Sequence, residues 1–316
     1  MPAVKNPANP TGPVSRPVSR PVSRPVPGAE TGRLSPAEAD VEPLILDVRQ
    51  APDARQALDA RQAFDSAAPP PWSLAAPSCV LPAGVAQNCA ALARHFPELG
   101  LCFFETEACL AYTEADLPPD LSALPVRWHV HLPLDLPWDQ GPLAVAGVIL
   151  ALAEKVAGLA PWAYVLHPPQ EAEALREVAL ALAEGGLAPE SLLVENIQGR
   201  DLEAMWPVVR ELGLGVCLDL GHMLERGQQS FLDLPELWAH TRMLHLNAPD
   251  PAKSGRHAAL DQLDAAGQAL LGRMLKAFAP GGSVVLELFS PGELFDSLRF
   301  VSGFWAGLCA RTKETA

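Results

Sequence analysis

Histidine and carboxylate side chains stand at the ends of six successive apolar runs in this sequence, and they are His131, His167, Glu195, Asp219, His245 and Glu287. A seventh group, His222, follows Asp219 by three residues. Imidazole and carboxylate are ligands that a divalent ion such as zinc binds well. Several carboxylates left unpaired in apolar surroundings would each cost several kcal/mol. The pattern therefore predicts a metal site.

The number of these residues indicates more than one ion. One ion needs about four protein ligands, or three and a water. Such a set is already supplied by Glu195, Asp219, His245 and Glu287. Three histidines are then surplus, and they are His131, His167 and His222. The surplus favours a second or third ion, and two ions suit phosphate ester hydrolysis because they stabilise both the attacking and the leaving oxygen.

Short apolar runs alternating with amphipathic segments must position these residues. The runs are rich in Val, Leu and Ile, as is typical of strands buried on both faces. They cover residues 74–81, 100–104, 126–132, 163–166, 191–194, 215–218, 242–246 and 283–289. Between them, apolar residues recur every three or four positions, which predicts helices. The predicted helices cover residues 84–96, 143–159, 170–184, 201–211 and 260–278.

Eight strands separated by helices predict an α/β fold, namely a (β/α)8 TIM barrel. The carboxyl ends of all its strands meet at one rim, where enzymes of this fold react, so residues far apart in sequence would converge there. An open doubly wound sheet is the alternative. It would place a glycine-rich phosphate loop after an early strand, and the sequence has none.

The first 71 residues differ from the rest in composition. They hold 14 of the 33 prolines and repeat Val-Ser-Arg-Pro three times over residues 14–25. Such a segment buries too little apolar surface to fold. We therefore predict two parts, a disordered extension over residues 1–71 and the barrel over residues 72–316.

The charge balance bears on the partners. The chain has 23 basic and 37 acidic residues, a net charge of −14, and the extension carries eight of each. The excess of acidic groups predicts that no nucleic acid is bound. The apolar stretch 142–153 is shorter than the roughly 20 residues of a membrane span. Six cysteines without a CxxC pair, and no apolar signal segment in the first 28 residues, predict a cytoplasmic protein.

Four segments together resemble the xylose isomerase-like, endonuclease IV-type TIM barrels. They are Glu195-Asn196, Asp219-Leu220-Gly221-His222, His245-Leu246-Asn247 and the strand that contains Glu287. The resemblance covers residues 72–316. In the trinuclear phosphodiesterases of this superfamily, the counterparts of His131 and His167 bind metal. The endonucleases carry Asp-Arg-His after the seventh strand, where this chain has Gly255-Arg256-His257. The resemblance thus implies His257 as a ligand but removes a carboxylate from the third metal site.

Two further segments, residues 76–89 and residues 129–136, are most similar to the cobamide-remodelling phosphodiesterases. This resemblance implies a corrinoid substrate whose nucleotide-loop phosphodiester is hydrolysed, with two or three zinc or manganese ions per chain. We predict that Glu195 bridges two ions. His131 and His167 would hold one of them. The predicted catalytic residues are Glu195, Glu287 and His222.

Three alternatives remain. A sugar isomerase or epimerase would need a single metal on the same barrel, and the surplus histidines speak against it. A DNA phosphodiesterase of the endonuclease IV type is disfavoured by the acidic charge. A non-enzymatic corrinoid or metal carrier would not need an intact ligand set. Metal content per chain separates the first alternative from a hydrolase.

Two further residues near the predicted strand ends, His129 and Glu105, are not included among the predicted ligands. His129 is expected to face the opposite side of its strand from His131 and to be structural. Glu105, at the end of the second run, is either a further rim group or a partner of an arginine.

Overall fold

The computed structural model describes residues 69–197, 199–200, 202–250 and 252–314, with side chains as far as residue 311. The predicted disordered extension falls outside the described residues except for residues 69–71. Its boundary at Trp72 therefore stays a prediction. The backbone carbonyl of Pro71 accepts a hydrogen bond from the amide of Gly281, 2.7 Å away.

Eight parallel strands close into a barrel in the order β1-β10-β7-β6-β5-β4-β3-β2, which confirms the predicted (β/α)8 fold. The barrel strands are β1 (Ser73–Pro77), β2 (Glu98–Cys102), β3 (Arg127–His131), β4 (Tyr164–Leu166), β5 (Leu192–Glu195), β6 (Gly215–Asp219), β7 (Thr241–Leu246) and β10 (Ser283–Leu286). Two short strands, β8 (Ala248–Pro249) and β9 (His257–Ala258), form an antiparallel hairpin after β7.

Helices follow or connect the strands. They are α1 (Val85–Leu92), α2 (Thr106–Leu110), α3 (Pro142–Lys155), α4 (Ala172–Glu184), α5 (Leu202–Leu212), α6 (Leu220–Arg226), α7 (Leu237–His240), α8 (Ala265–Ala277) and α9 (Pro291–Glu314). Single 3-10 turns cover Pro119–Ala123, Trp138–Gln140, Ala157–Leu159, Pro189–Ser191, Gln229–Asp233 and Leu260–Gln262. Within the described chain, no helix has the length and apolarity that a membrane crossing requires.

The predicted strands and helices occur in the predicted order. Some of them begin or end at other residues than predicted, because local interactions fix their ends. The first run ends at Pro77, where the chain leaves the sheet. The last predicted helix begins only at Ala265, because the Asp264 side chain accepts the amide hydrogen of Gly267 as an N-cap. The helix α9 was not predicted. Its sequence contains three glycines, which weaken the helical pattern.

The barrel interior is filled by side chains that alternate along the strands. A small inner cluster lies between the ends of the barrel, and its members are Ala75, Ala163, Val165, Leu193, Cys217, Met243 and Val285. A larger apolar core lies between the strands and the surrounding helices. Because this packing fixes the strands rigidly, the residues at their carboxyl ends are held in defined positions.

Below the inner cluster, the carboxylate of Glu98 is fully buried and hydrogen-bonded. It accepts from Trp162 Nε1 at 2.9 Å and from Ser283 Oγ at 2.6 Å, and it contacts His129 Nδ1 at 2.9 Å. The expectation that His129 faces away from His131 is wrong, because residues two apart lie on the same face of a strand. His129 has a structural role lower in the same barrel.

Burial alone would raise the pKa of Glu98, but its hydrogen bonds, first that from His129, outweigh burial and lower the pKa to about 2. Burial lowers the pKa of His129 itself, so the two shifts disagree about the charge on the imidazole. We assign Glu98 as ionised and His129 as neutral, because a neutral imidazole still donates its Nδ1 hydrogen to the carboxylate.

We expect Glu98 to stabilise the fold in a pH-dependent way. Its folded pKa of about 2 lies below the ordinary 4.5, so its contribution is complete above pH 4.5 and is lost as the pH falls towards 2. The shift corresponds to at most about 3 kcal/mol, because part of it is the attraction of a charged His129, which a neutral imidazole does not supply. Glu98→Gln should lower the unfolding free energy at pH 7 by up to this amount, with a smaller difference from wild type at pH 3. Urea unfolding at both pH values, beside the exposed control Glu114→Gln, measures this; an equal difference at both pH values contradicts it.

Candidate metal centre

The strand ends bring all eight predicted ligands to one mouth of the barrel. The five at the ends of strands β3, β5, β6 and β7 and directly after β10 are buried, and they are His131, Glu195, Asp219, His245 and Glu287. The other three lie on the segments that follow β4, β6 and β8, are partly exposed, and are His167, His222 and His257. Glu105 is exposed at the start of α2, and it is not among the residues that cluster here.

Glu195 lies at the centre of the cluster. Its Oε1 atom is 3.0 Å from His245 Nδ1. Its Oε2 atom is 3.2 Å from His167 Nε2 and 3.3 Å from His131 Nε2. The two carboxylate oxygens therefore face different groups of imidazoles, as a carboxylate shared between two ligand sets would.

Glu287 closes the other side of the cluster. Its Oε2 atom is 3.1 Å from His245 Nδ1 and 3.5 Å from His257 Nδ1, and its Oε1 atom is 3.9 Å from His131 Nε2. The His257 Nδ1 atom also hydrogen-bonds the backbone carbonyl of Glu287 at 2.9 Å. The hairpin of β8 and β9 thereby places His257 beside the last barrel strand.

Asp219 is held by two asparagines. Asn247 Nδ2 donates to Asp219 Oδ2 at 2.7 Å. Asn196 bonds the backbone of Asp219 twice, because its Oδ1 accepts from the amide at 2.8 Å and its Nδ2 donates to the carbonyl at 3.1 Å. The other carboxylate oxygen, Oδ1, caps α6 by accepting the backbone amide of His222. This cap fixes His222 three residues after Asp219.

The donor atoms fit divalent ions. Three groups each offer ligand atoms within 4.8 Å of one another. The groups are His131, Glu195 and His245; Glu195, Asp219, His245 and Glu287; and Asp219, His222 and His257. Glu195 Oε2 and Glu287 Oε2 are buried without a hydrogen-bond partner, although imidazole nitrogens lie close to both. Buried carboxylate oxygens without donors are costly, and a cation would compensate them.

The imidazoles and carboxylates of the cluster lie close enough to form buried ion pairs. Burial opposes charge on both partners, but the positive His245 holds the pKa of Glu195 well below its ordinary value and that of Glu287 at about 2. Burial is likewise outweighed at His131, whose pKa the contact with Glu195 raises to about 9. Burial raises the pKa of Asp219. A metal ion would therefore displace protons from these imidazoles on binding.

Sequence reasoning did not assign roles to the residues that orient these ligands. Asn196 directly follows Glu195, and Asn247 lies two residues after His245, so both stand next to strand ends that had already been singled out. Gly221 is equally required, because a Cβ atom there would collide with Asn247 Oδ1. In the sequence, the feature that could have indicated these orienting residues is an asparagine or glycine close to a predicted ligand.

We expect Gly221→Ala to impair the site. The new methyl group would push Asn247 away, and Asp219 would lose the donor to Oδ2. Loss of such an orienting partner costs about 10- to 100-fold in metal affinity or activity. Gly147→Ala in α3 is the matched control, since nothing lies within 4 Å of the added atom. Metal affinity by competition with a chelating dye measures the effect. Equal affinities for Gly221→Ala and the control would show that Asn247 does not orient Asp219.

No protein-family model matches this sequence, and no curated protein matches it. Solved structures do match. A D-tagatose 3-epimerase-like protein aligns with a TM-score of 0.62 at 15% identity, over 76% of this chain and 99% of that one. A xylose isomerase domain protein from Planctomyces limnophilus aligns with a TM-score of 0.53 at 13% identity, over 76% and 99%. The IolI protein with a bound zinc atom aligns with a TM-score of 0.55 at 12% identity, over 76% and 98%.

Identities this low establish the fold alone. They confirm the (β/α)8 barrel, which this chain shares with these structures. The narrower resemblance to the cobamide-remodelling phosphodiesterases gains no support from these matches, which are sugar epimerases, a xylose isomerase domain protein and a zinc-containing protein.

Proposed function

We propose that this protein is a metal-dependent phosphodiesterase. The observation that carries the proposal is the pair of imidazoles His131 and His167, which both approach Glu195 Oε2 within 3.3 Å. A single ion held by Glu195, Asp219, His245 and Glu287 leaves these imidazoles without a use. When bound, several divalent ions would neutralise a phosphate diester and lower the pKa of a water molecule to about 7.

The protein's own groups divide the remaining work. Glu195 would be shared by the two ligand sets and would fix their separation. Glu287 would be a ligand in the group with Asp219 and His245, and its contact with His257 would link this group to the hairpin of β8 and β9. His222 and His257 are the partly exposed members of the third group, and they would hold an ion there that stabilises the leaving oxygen. The buried position of the carboxylates excludes water from the ligand atoms.

The proposed substrate is a cobamide, a bulky corrinoid that carries one phosphodiester. Its support is the sequence similarity over residues 76–89 and 129–136. The acidic charge also fits, because the barrel part has 15 basic and 29 acidic residues, which suits one phosphodiester on a bulky neutral molecule better than a nucleic acid. Hydrolysis would add the water oxygen to phosphorus and return a proton to the nucleoside ribose oxygen. The products would be a phosphorylated cobinamide and a free nucleoside.

A sugar epimerase is the second candidate. It is favoured by the buried group Glu195, Asp219, His245 and Glu287, which alone could hold one ion, and by fold neighbours that are named 3-epimerases. In that case two carboxylates would move protons at the substrate carbon. The reaction would need one metal per chain, and the additional histidines would serve another purpose.

We expect the metal-replete full chain to hydrolyse a cobamide, with the products identified by mass. EDTA should abolish the reaction, because the ligand carboxylates and imidazoles then revert to ion pairs, and zinc or manganese should restore it. A ketohexose serves as the parallel substrate. Epimerisation of the sugar with an intact cobamide would overturn the phosphodiesterase proposal in favour of the second candidate.

A further inference from the structure

Three exposed apolar side chains stand together at the mouth of the barrel. Phe104 follows β2, Leu134 follows β3 and Phe289 follows β10, and their exposed fractions are 41%, 51% and 41%. We call these three residues the apolar ledge. They belong to loops at the same strand ends that carry the candidate metal ligands.

Two contacts link the residues of the ledge, one between the aromatic rings and one through the backbone of Leu134. The Phe104 and Phe289 rings meet edge to face with centroids 5.9 Å apart. The amide of Leu134 donates to the carbonyl of Phe104 at 3.1 Å. The two aromatic rings are therefore preorganised, and the loop after β3 is tied to the loop after β2.

The ledge also borders the candidate metal centre. The Phe289 ring stacks on the ring of His257, with centroids 5.3 Å apart and an interplanar angle of 29°. His257 belongs to the ligand group with Asp219 and His222. The Phe289 ring is therefore in direct contact with one of the candidate ligands.

Single exposed apolar residues are ordinary, but a contiguous group beside a cluster of ligands is not. In the described part of the chain, the large hydrophobic residues that are exposed are Phe104, Leu110, Leu134, Leu143, Leu180 and Phe289. Three of these six form the ledge. Exposed apolar surface that is concentrated at a mouth is typical of a ligand-binding surface.

We infer that the apolar ledge determines specificity by binding an extended, apolar ring face of the substrate while the reacting group lies over the ligand cluster. The inference rests on the proposed function in placing the substrate at this same mouth. An exposed Phe ring gives stacking area to a conjugated ring system, and the second ring, at 70° to the first, bounds that area. The ledge therefore selects a substrate whose non-reacting part is a large ring, and a small unconjugated ester would not use it.

Dicyanocobinamide is the test probe, because it has a corrin ring but no phosphodiester, so that its binding is separate from hydrolysis. We expect saturable binding to the full chain and about a tenfold higher Kd for each of Phe104→Ala and Phe289→Ala. Phe104→Leu and Phe289→Leu keep apolar bulk without a flat ring and should weaken binding less. Leu180→Ala, equally exposed on α4, is the matched control and should bind like wild type.

A second measurement separates the ledge from the proposed reaction. Dimethyl phosphate is a small diester without a conjugated ring, and the loss of kcat/KM in Phe104→Ala, relative to Leu180→Ala, should be larger for a cobamide than for dimethyl phosphate. If the wild-type chain does not bind the cobinamide, or if the Phe variants bind as tightly as Leu180→Ala, the inference is wrong. If binding follows the expected order but no phosphodiester is cleaved, the ledge stands and the proposed function fails.

Discussion

Glu195→Gln is expected to remove bound metal and to lower turnover by more than about 100-fold while the barrel stays folded. The substitution exchanges one carboxylate oxygen for an amide, so the volume at the end of β5 is unchanged. Removal of a group that only orients a metal ligand already lowers metal affinity or activity by about 10- to 100-fold. A residue that contacts three imidazoles within 3.3 Å should cost more.

The physical reason is the loss of charge at the centre of the cluster. Burial is outweighed at Glu195 by the positive imidazoles, which hold its pKa well below the ordinary value. An amide has neither the charge nor a second acceptor oxygen, so it supports neither ligand set. The two sets that share Glu195 should therefore be lost together, which is the consequence of a bridging position.

Metal per chain by mass spectrometry, turnover and circular dichroism check this prediction. The matched control is Glu184→Gln, which makes the same exchange on the exposed end of α4 and should leave metal content and turnover unchanged. A folded Glu195→Gln protein with full metal content and normal turnover would rule out the bridging role.

The barrel and the convergence of its candidate ligands could be predicted from the sequence because both follow from local patterns. Strands buried on both faces are continuous apolar runs, and the residue that ends each run lies at the rim. His131, Glu195 and Asp219 were therefore located without any knowledge of contacts. Only the parallel closure of the barrel had to be assumed.

The supporting contacts could not be predicted in this way. The approach of Gly221 to Asn247 joins segments that follow two different strands, and no local pattern encodes it. The same is true of Phe104 and Phe289, which are 185 positions apart in sequence and meet only because β1 alone lies between β2 and β10 in the barrel. The placement of His129 failed for a simpler reason, since the twofold period of the strand was applied incorrectly.

The double variant His131→Ala/His167→Ala is expected to separate the two candidate functions. It removes the surplus imidazoles but leaves the group Glu195, Asp219, His245 and Glu287 intact. For a phosphodiesterase that needs a second ion, metal content should fall by one ion per chain. Hydrolysis should then fall by more than about 100-fold, because the charge that neutralises the diester is lost.

For a one-metal epimerase, the same double variant should keep its ion and most of its activity. Metal analysis and both activity assays are made on the same preparations. His95→Ala removes an imidazole that packs on Phe295 rather than in the cluster, and it serves as the control for the loss of a histidine. Unchanged metal content in the double variant would mean that His131 and His167 are not ligands, and the argument for a second ion would then fail together with the phosphodiesterase proposal.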